Sequence, residues 1–423
     1  MCSILGYFGT SLSKEEVAQY NAKMAHRGKD FARVCAYDFA HKKLYLAHNR
    51  LSIQDLSANA HQPMENERFA LIFNGEIYNH LELRKLLRTK LESNSDTQTL
   101  LACFSELGVK KTLELINGMF AIALFDKREQ KLYLMRDRVG AKPLYYTLLN
   151  GEFAFASELK ALSAHLKQKK SLNAQIAFVS LGYIPGDKSY YEGVYKLLPA
   201  HYLVFDGTNY KTSRYWDLPQ KHLNLSFNEA LERAHELIIA SVKRRLIADV
   251  DIGVFLSGGI DSSLISAIAA QHLHKPLKSF CIGFEDNSYD ESTHAKTIAK
   301  HLQTEHHEYI FSAKDVLALV DDFNSVYDEP FGDASALAML LLAKATRNEV
   351  KVALSGDGGD ELFCGYERYF LIDKYYKKFS HLPMRRIISA IFAKSGIDKL
   401  EKLAYPMANL SYENLYSVLS TSV

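Results

Sequence analysis

The second residue of the chain is a cysteine, and its position gives it a chemistry that an internal cysteine lacks. Aminopeptidases remove an initiator methionine when the next side chain is small, so we expect Met1 to be excised and Cys2 to become the first residue. A thiol and a free α-amine would then share one residue. Because an α-amine has an ordinary pKa of about 7.7–8.0, it can accept the thiol proton near neutral pH. The chain start therefore predicts a nucleophilic cysteine that uses its own amine as the base.

A second segment with the residues for chemistry begins after the apolar run Val254–Leu256, where Ser257-Gly258-Gly259 leads into a predicted helix. Paired glycines let the backbone approach a phosphate, and serines and helix-start N–H groups bind anions. The segment has neither the Gly-Lys-Ser/Thr of a Walker loop nor a Gly-x-Gly-x-x-Gly pattern. An aspartate in such a loop, Asp261, indicates Mg²⁺ bound with pyrophosphate. A tight strand-to-helix turn with an Asp near the helix start would explain the same residues.

A similar loop, Ala353–Glu361, follows a later apolar run and supplies the acidic residues Asp357, Asp360 and Glu361. Two glycine-and-acid loops at one edge of a parallel sheet are hard to explain as turns alone. Together they predict a Mg²⁺–nucleotide site. The expected chemistry is attack on an α-phosphate, with release of pyrophosphate and formation of an activated acyl adenylate.

The chain changes character near residues 206–225, which read as a linker between two domains, 1–205 and 226–423. The first part has many short strands, two or three helices and Asn-Gly or Asp-Gly turns. In the second part strands alternate with helices, which predicts a doubly wound parallel sheet that binds ligands outside the carboxyl ends of its strands. The patterns predict helices over Lys14–Ala25, His80–Lys90, 227–246 and 313–326, and turns at Asn74-Gly75, Asn150-Gly151 and Asp206-Gly207.

Composition narrows the class of protein. With 51 basic and 49 acidic side chains the net charge is +2, which gives no reason to expect a nucleic-acid partner. No apolar run reaches the roughly 18–20 residues of a membrane span, and the first residues lack the features of a signal peptide. The five cysteines are scattered and form no Cys-x-x-Cys pair, which argues against a disulfide framework or a zinc site. We therefore expect a cytoplasmic enzyme.

The motifs along the chain resemble those of glutamine-hydrolysing asparagine synthetases, which are class II, N-terminal-nucleophile amidotransferases. The resemblance covers roughly residues 2–370. In the first half it rests on Arg50-Leu-Ser-Ile-Gln-Asp-Leu56, His61-Gln-Pro63, Phe73-Asn-Gly-Glu-Ile-Tyr-Asn79, Ser95-Asp-Thr97, Arg136-Asp-Arg138, Lys142-Pro-Leu-Tyr145 and Ala156-Ser-Glu158. In the second half it rests on the Ser257–Ser263 loop, Asp328-Glu-Pro330 and Ser355–Tyr366.

The resemblance implies a fold and a glutamine site for the first half. The fold would be an αββα N-terminal-nucleophile (Ntn) hydrolase glutaminase domain. Cys2 would be the nucleophile, and the Asn74 amide and the Gly75 N–H would form the oxyanion hole. The residues that would bind glutamine are Arg50, Leu51, Ser52, Ile53, Gln54, Asn74, Gly75, Glu76 and Asp96. Among them Arg50 would hold the α-carboxylate, while Glu76 and Asp96 would hold the α-ammonium.

For the second half the resemblance implies an adenine-nucleotide α-hydrolase-like (PP-loop) domain that binds ATP and Mg²⁺. The residues that would bind ATP are Leu256, Ser257, Gly258, Gly259, Asp261, Ser262, Ser263, Ile282, Ser355 and Gly356. Asp261 and Asp360 would hold Mg²⁺, and Asp357 would serve the adenylated intermediate. The substrates would be glutamine, aspartate and ATP, an internal tunnel would carry ammonia between the domains, and the family suggests a homodimer.

The chain also departs from the family pattern. Lys29 stands where proline is usual and Ala200 where glycine is usual. Family members usually extend well beyond position 423, and that further region supplies part of the acceptor pocket. Three interpretations therefore stay open: an asparagine-forming ligase, a related amidotransferase that acts on another carboxylate such as a sugar acid, and a shortened chain that keeps only glutaminase activity or nucleotide binding.

Overall fold

The computed structural model describes residues 1–163, 169–285, 291–333 and 335–420, and within these ranges the first half of the chain builds two six-stranded sheets. The first sheet has the order β10-β8-β9-β1-β3-β2, with β1 (Ser3–Gly9), β2 (Phe31–Phe39), β3 (Lys42–Arg50), β8 (Tyr145–Leu149), β9 (Glu152–Ala156) and β10 (Val194–Lys196). The second has the order β12-β11-β7-β6-β5-β4, with β4 (Met64–Glu65), β5 (Phe69–Ile77), β6 (Gly118–Asp126), β7 (Lys131–Arg136), β11 (His201–Phe205) and β12 (Tyr210–Arg214).

The side chains of β1 alternate between the two faces of the first sheet, and this shows how the layers are built. Ile4 and Phe8 enter the core between the two sheets, where they pack with side chains of the second sheet. Leu5 and Tyr7 point the other way and pack with Val17 of helix α1 (Lys14–Ala22). This period of two is what a strand buried on both faces requires.

The outer face of the second sheet is covered in the same way by helix α3 (Asp96–Leu115). Leu100 and Phe104 of this helix pack with Leu71, Phe73 and Ile122 of the sheet. The layers are therefore helix, sheet, sheet and helix. The αββα arrangement implied by the resemblance is confirmed.

The second half of the chain forms a four-stranded parallel sheet in the order β15-β14-β13-β16, with β13 (Ile252–Phe255), β14 (Lys278–Phe284), β15 (Glu305–Phe311) and β16 (Val352–Leu354). The helices that alternate with these strands are α5 (Phe227–Arg245), α6 (Ile260–His272), α7 (Ser292–Leu302), α8 (Ala313–Leu317), α9 (Val320–Val326) and α10 (Ser335–Thr346). Val254 packs with α5 and α6, whereas Phe255 packs in the cluster that contains Leu342 of α10. Helices thus cover both faces, and the predicted doubly wound sheet is confirmed.

The direction in which strands are added to the sheet reverses between β13 and β16. From β13 the chain adds β14 and then β15 on one side, and it returns to add β16 on the other side of β13. Ligands of open parallel sheets bind at such a switch point, outside the carboxyl ends of the strands. The two glycine-and-acid loops leave the carboxyl ends of these two neighbouring strands.

Several sequence-based boundaries differ from the structure. Asn74-Gly75 is not a turn, because β5 continues through it to Ile77 and pairs with β6 throughout. The helix predicted over His80–Lys90 ends at Arg84, so α2 spans His80–Arg84. The helix predicted over 313–326 is two helices, α8 and α9. Strand β12 lies inside the predicted linker yet pairs with β11.

The remaining helices are short or C-terminal: α4 (Leu172–Leu181), α11 (Gly359–Phe363), α12 (Glu367–Ser380), α13 (Arg385–Phe392), α14 (Asp398–Ala408) and α15 (Tyr412–Ser420). Residues 421–423 of the predicted second domain lie outside the described residues. Among the helices that the structure describes, none is both long enough and apolar enough to cross a membrane. Cys2, Cys35, Cys103 and Cys364 carry free thiols.

Candidate active sites

Sheet register places Cys2 beside the end of β3. Ser3 of β1 pairs with Asn49 of β3 in antiparallel register, which sets Cys2 opposite Arg50 and close to the following residue, Leu51. The Leu51 N–H donates to Cys2 Sγ at 3.4 Å, and the Leu51 carbonyl oxygen lies 3.7 Å from the same sulfur. Burial raises the pKa of the Cys2 thiol, and the Leu51 N–H opposes this only in part. The thiol therefore needs a base to become a nucleophile near neutral pH.

The amine at the start of the chain has the electrostatics of a base. Burial, which the charge of Cys2 opposes and the cations Arg27 and Lys142 reinforce, lowers the pKa of the Met1 amine to about 6. Such an amine is neutral at pH 7 and is able to accept a proton. In this structure the terminal amine belongs to Met1. After excision of Met1, the nitrogen of Cys2 would become the terminal amine and would act as the base.

Arg50 closes the cleft around Cys2 by holding the loop that follows β3. Its Nη1 donates to the Ser57 carbonyl oxygen at 2.8 Å, and its Nη2 donates to the carbonyl oxygens of Gln54, at 3.4 Å, and Asp55. The guanidinium is nearly fully buried and lines the cleft. A planar cation held in this way is suited to bind a carboxylate.

Two carboxylates face the same cleft. Burial raises the pKa of Glu76 well above its ordinary value and that of Asp96 to about 6, and the charge of Asp96 raises the pKa of Glu76 further. Gln54 Nε2 donates to Glu76 Oε2 at 2.6 Å, and the Ile77 N–H donates to Asp96 Oδ2 at 2.9 Å. Two buried carboxylates close together favour a cationic ligand, because a cation relieves both their repulsion and their desolvation.

Asn74 and Gly75 lie in β5, beside this cleft. The Asn74 side chain is fully buried, and neither its Nδ2 nor its Oδ1 has a hydrogen-bond partner among the described residues. Buried amide groups are nearly always paired, so an unpaired buried amide beside the cleft is unusual and is consistent with a catalytic role. At Gly75 a Cβ atom would lie 2.0 Å from the Met119 carbonyl oxygen, so only glycine fits between β5 and β6. This geometry is consistent with an oxyanion hole.

The cleft enclosed by these residues brings together most of the predicted glutamine site. Its walls are formed by Cys2, Arg50, Leu51, Ile53, Gln54, Ala60, Gln62, Phe73, Gly75, Glu76, Asp96 and Thr97. Of the predicted residues, Ser52 and Asn74 are not part of the wall, and the Ser52 N–H donates instead to Asp30 Oδ2 at 2.8 Å. The assignment of glutamine to this cleft stays a prediction.

Four lining residues were not predicted individually: Ala60, Gln62, Phe73 and Thr97. Gln62 Nε2 donates to Thr97 Oγ1 at 3.2 Å, and its Oε1 accepts from the Phe73 N–H at 2.6 Å. Gln62, Phe73 and Thr97 stand inside the motifs on which the resemblance rests. The motifs therefore contain cleft residues in addition to those that were assigned to glutamine.

The first predicted nucleotide loop joins β13 to α6, and its serines hold it through hydrogen bonds within the loop. Ser257 Oγ and Ser262 Oγ lie 3.0 Å apart, and Ser263 Oγ donates to the Gly259 carbonyl oxygen at 2.6 Å. Gly258 has a φ of +86°, which a residue with a side chain rarely adopts. The N–H groups at the start of α6 are oriented toward the carboxyl edge of the sheet, where an anion can bind.

The second loop packs directly against the first. A Cβ atom on Gly356 would lie 2.8 Å from the Ser262 nitrogen, and one on Gly359 would lie 2.4 Å from Asp261 Cγ. Burial raises the pKa of Asp261, and the nearby charges of Asp360 and Glu361 raise it further. The predicted convergence of the two loops is thus present in the structure.

The acidic residues of these loops fit a Mg²⁺ ion held jointly with phosphates. The repulsion that Asp360 exerts on Asp261 is relieved by a cation between them, and Mg²⁺ usually takes one or two carboxylates together with substrate phosphates. Within the described residues, no group of three or more His, Cys, Asp and Glu side chains is arranged to hold a metal by itself. The donor set therefore fits a metal that arrives with a nucleotide.

The other predicted nucleotide residues lie in two different settings. The Leu256 side chain is buried in a cluster with Cys281 and Ala295, so only its backbone is available to a ligand. Ile282 near the carboxyl end of β14 is partly buried against the Phe280 cluster. Ser355 Oγ donates to Asp357 Oδ2 at 2.8 Å, which fixes the second loop locally. Contact of these residues with ATP stays a prediction.

Two known protein families match the two halves of the chain. Residues 1–216 match the model of a glutamine amidotransferase domain, and residues 233–421 match that of asparagine synthase. The fold and the two family matches thus define an amidotransferase in which a glutamine amidotransferase domain is followed by an asparagine synthase domain.

Individual relatives make the assignment more specific. A putative asparagine synthetase (glutamine-hydrolyzing) 2 of Methanocaldococcus jannaschii is 36% identical over 391 residues, which cover 86% of this chain and 76% of the relative. Asparagine synthetase (glutamine-hydrolyzing) 1 of Bacillus subtilis is 34% identical over 87% of this chain and 59% of its own length. The enzyme of Asparagus officinalis is 31% identical over 92% of this chain and 63% of its own. The chain belongs to the family of glutamine-hydrolysing asparagine synthetases, and it spans about three-fifths of the length of the last two relatives.

Proposed function

We propose that this protein is an ATP-dependent amide ligase that takes nitrogen from glutamine. Glutamine is hydrolysed at Cys2, the side-chain carboxylate of aspartate is adenylated by Mg-ATP, and ammonia displaces AMP. The products are asparagine, glutamate, AMP and pyrophosphate. The observation that carries the proposal is the convergence of Cys2, Arg50 and the Glu76–Asp96 carboxylate pair on one cleft.

Each group in that cleft matches one part of glutamine. The Arg50 guanidinium pairs with the α-carboxylate, and Glu76 and Asp96 pair with the α-ammonium. These contacts leave the side-chain amide directed toward Cys2. The α-amine accepts the thiol proton as the sulfur attacks the amide carbon, and it then donates a proton to the departing ammonia. The Asn74 Nδ2 group and the Gly75 N–H stabilise the oxyanion that forms in this step.

In the second half, the loops at the ends of β13 and β16 bind the triphosphate. The Ser257–Ser263 loop holds the pyrophosphate portion, and Asp261 and Asp360 hold Mg²⁺. The metal, when bound, neutralises charge on the phosphate oxygens. Asp357 is the acidic group that we assign to the adenylated intermediate, and its carboxylate is oriented by Ser355.

The first experiment is a glutamate-release assay on protein whose N-terminus has been defined by mass spectrometry. Cys2→Ala should abolish glutamate release and glutamine-dependent asparagine, while ammonia-dependent asparagine persists. Cys35→Ala is the matched control, because Cys35 is another free thiol in the same half, on β2. Equal loss with both nitrogen sources, or full activity in Cys2→Ala, would contradict the division of labour between the domains.

The acceptor is tested separately by following pyrophosphate release with a panel of carboxylates. Aspartate should stimulate release most strongly. Stronger stimulation by a sugar acid would make the protein a related amidotransferase with another acceptor. Glutamate release with no pyrophosphate release from any acceptor would leave only the glutaminase activity.

A further inference from the structure

The segment between α9 and α10 belongs to the second half of the chain but binds the first half through two adjacent acidic residues. Glu329 accepts from the Tyr190 N–H at 2.9 Å and from Lys196 Nζ at 3.1 Å. Asp328 accepts from the Lys160 N–H at 3.3 Å, and its other oxygen lies 3.4 Å from Lys160 Nζ. The segment is thus held by two lysines of the glutaminase half.

Only one of these lysines leads onward to the catalytic cysteine. Lys160 Nζ lies 3.1 Å from Glu158 Oε2, an ion pair without the alignment of a hydrogen bond. Arg27 Nη1 donates to Glu158 Oε1 at 2.8 Å, and Arg27 Nε donates to the Cys2 carbonyl oxygen at 3.1 Å. Cys2 is therefore joined to Asp328 by the series Arg27, Glu158 and Lys160, which we call the ion-pair chain.

Burial makes the ion-pair chain stronger than an ordinary surface network. The side-chain exposures of Arg27, Glu158 and Asp328 are 13%, 7% and 10%, and that of Lys160 is 24%. Burial raises the pKa of Glu158, but hydrogen bonds from His26 and Arg27 outweigh it and hold that pKa at about 2. Partly buried pairs are little screened by salt, and removal of one partner leaves the other charge without compensation.

The far end of the ion-pair chain is connected to the predicted nucleotide site by the fold. Asp328 lies shortly before α10, and α10 leads to β16. The loop that leaves β16 carries Asp357 and Asp360. Leu342 of α10 also packs in the same cluster as Phe280 and Val350, under the central strands. The fold therefore offers a continuous physical route between the second nucleotide loop and the segment that holds Asp328.

We propose that the ion-pair chain couples occupancy of the nucleotide site to the position and reactivity of Cys2, an inference that rests on the proposed function. The two states are Asp328 paired with Lys160, as in this structure, and Asp328 withdrawn from it. Withdrawal frees Lys160 from its partner and loosens the Glu158–Arg27 pair that holds the Cys2 carbonyl. Coupling of this kind works in both directions, so glutamine binding also changes the affinity for the nucleotide.

The test measures the Cys2 site with and without Mg-ATP plus aspartate, by two readouts on the purified full chain. One is the initial rate of glutamate release. The other is the rate at which iodoacetamide alkylates Cys2, followed by mass spectrometry, which needs no turnover. The variant Lys160→Met breaks the ion-pair chain, and Asp328→Asn breaks the same link from the other half. The matched control is Lys196→Met, which removes an interdomain ion pair that has no connection to Cys2.

In the unmodified protein, ligand should change at least one of the two rates by about fivefold or more, the lower end of typical coupling. Lys160→Met and Asp328→Asn should bring the ratio close to one, and Lys196→Met should keep it. A ratio of one in the unmodified protein, a ratio retained in both chain variants, or an equal loss in Lys196→Met would overturn the proposal.

The two readouts also separate this inference from the proposed function. Glutamate release that does not respond to ligand, with alkylation equally unresponsive, leaves the function standing and rejects the coupling. Ligand-dependent alkylation without glutamate release supports the coupling and rejects the glutaminase assignment.

Discussion

Replacement of Asn74 by alanine should lower catalytic activity without lowering the stability of the fold. The Asn74 side chain is fully buried, and both of its polar atoms lack a hydrogen-bond partner among the described residues. Each such group destabilises a folded protein by about 1–3 kcal/mol relative to a solvated or paired one. Asn74→Ala removes both groups and leaves only a small cavity. The free energy of unfolding should therefore stay the same or increase.

The effect on catalysis should be large and opposite in sign. If Asn74 Nδ2 is one of two oxyanion donors, its loss lowers kcat for glutamate release by roughly 10²–10³, which corresponds to about 2.7–4 kcal/mol. The donor acts on charge that exists only in the transition state, so KM for glutamine should change little. Steady-state glutamate release and thermal unfolding of the same preparation provide both numbers.

Asn49 is the matched control because it is also buried but is fully paired. Its Nδ2 donates to Ser3 Oγ at 2.9 Å and to the Asn21 carbonyl oxygen at 2.8 Å, and its Oδ1 accepts from Asn21 Nδ2 at 2.9 Å. Asn49→Ala should lower the unfolding temperature, because it leaves those partners unsatisfied. If Asn74→Ala is destabilised as strongly as Asn49→Ala, or loses less than about tenfold in kcat, Asn74 has a structural role and the oxyanion assignment is wrong.

Two further predictions concern a carboxylate and a glycine. Because burial raises the pKa of Asp96 to about 6, and because glutamine binds its ionised form, KM for glutamine should rise as the pH falls through 6 and should be flat above it. Asp96→Asn should flatten that profile, and a KM profile that the substitution leaves unchanged would contradict this expectation. Since a raised carboxyl pKa destabilises the fold above that pH, Asp96→Asn should also add up to about 3 kcal/mol of stability at pH 8 and little at pH 4, and equal unfolding free-energy changes at the two pH values would contradict that statement. Gly359→Ala places a Cβ atom 2.4 Å from Asp261 Cγ and should abolish ATP–pyrophosphate exchange. Gly358→Ala is the control: a Cβ atom there meets nothing within 4 Å, so this substitution should cost only backbone strain. Equal exchange in the two variants would refute the contact between the loops.

Sequence patterns predicted best where local signals and tertiary structure agree. Helix α1 begins at Lys14, as the pattern predicts, because Ser13 caps it and forms a capping box with Glu16. The parallel sheet of the second half also follows from the sequence pattern, because short apolar runs such as Ile252–Phe255 and Val352–Leu354 alternate with segments of helical pattern. At Asn150-Gly151 the predicted turn joins β8 to β9, and both residues have the positive φ that such a hairpin requires.

Prediction failed where long-range contacts override the local signal. Asn74-Gly75 has the composition of a hairpin turn, but pairing with Ala121 and Phe120 of β6 extends the strand through it. The helix that begins at His80 ends at Arg84, whose guanidinium donates to distant groups that include the Ser93 and Ser95 carbonyl oxygens. Neither contact is visible in a local window of sequence.

One missed element did carry a local signal. Helix α3 was not predicted, although the Ser95 side chain caps it by accepting from the Gln98 N–H. Serine followed three residues later by glutamine is a capping pattern that precedes a helix. That pattern locates Asp96 in the first turn of α3, and it thereby fixes one of the two carboxylates of the glutamine cleft.

The loop between residues 51 and 57 belongs both to the cleft and to the interface between the two halves of the chain. Arg50 holds this loop from within the glutaminase half, while Asp249 of the second half donates its N–H to the Ile53 carbonyl oxygen at 2.9 Å and accepts from the Asp55 N–H at 2.7 Å. Lys351 lies 2.9 Å from Asp30 Oδ2, which also accepts from the Ser52 N–H. The same backbone thus lines the Cys2 cleft and contacts the second half of the chain. A change in the docking of the second half would therefore act on backbone that lines the cleft, and by thermodynamic linkage a ligand that reshapes this backbone would act on the docking.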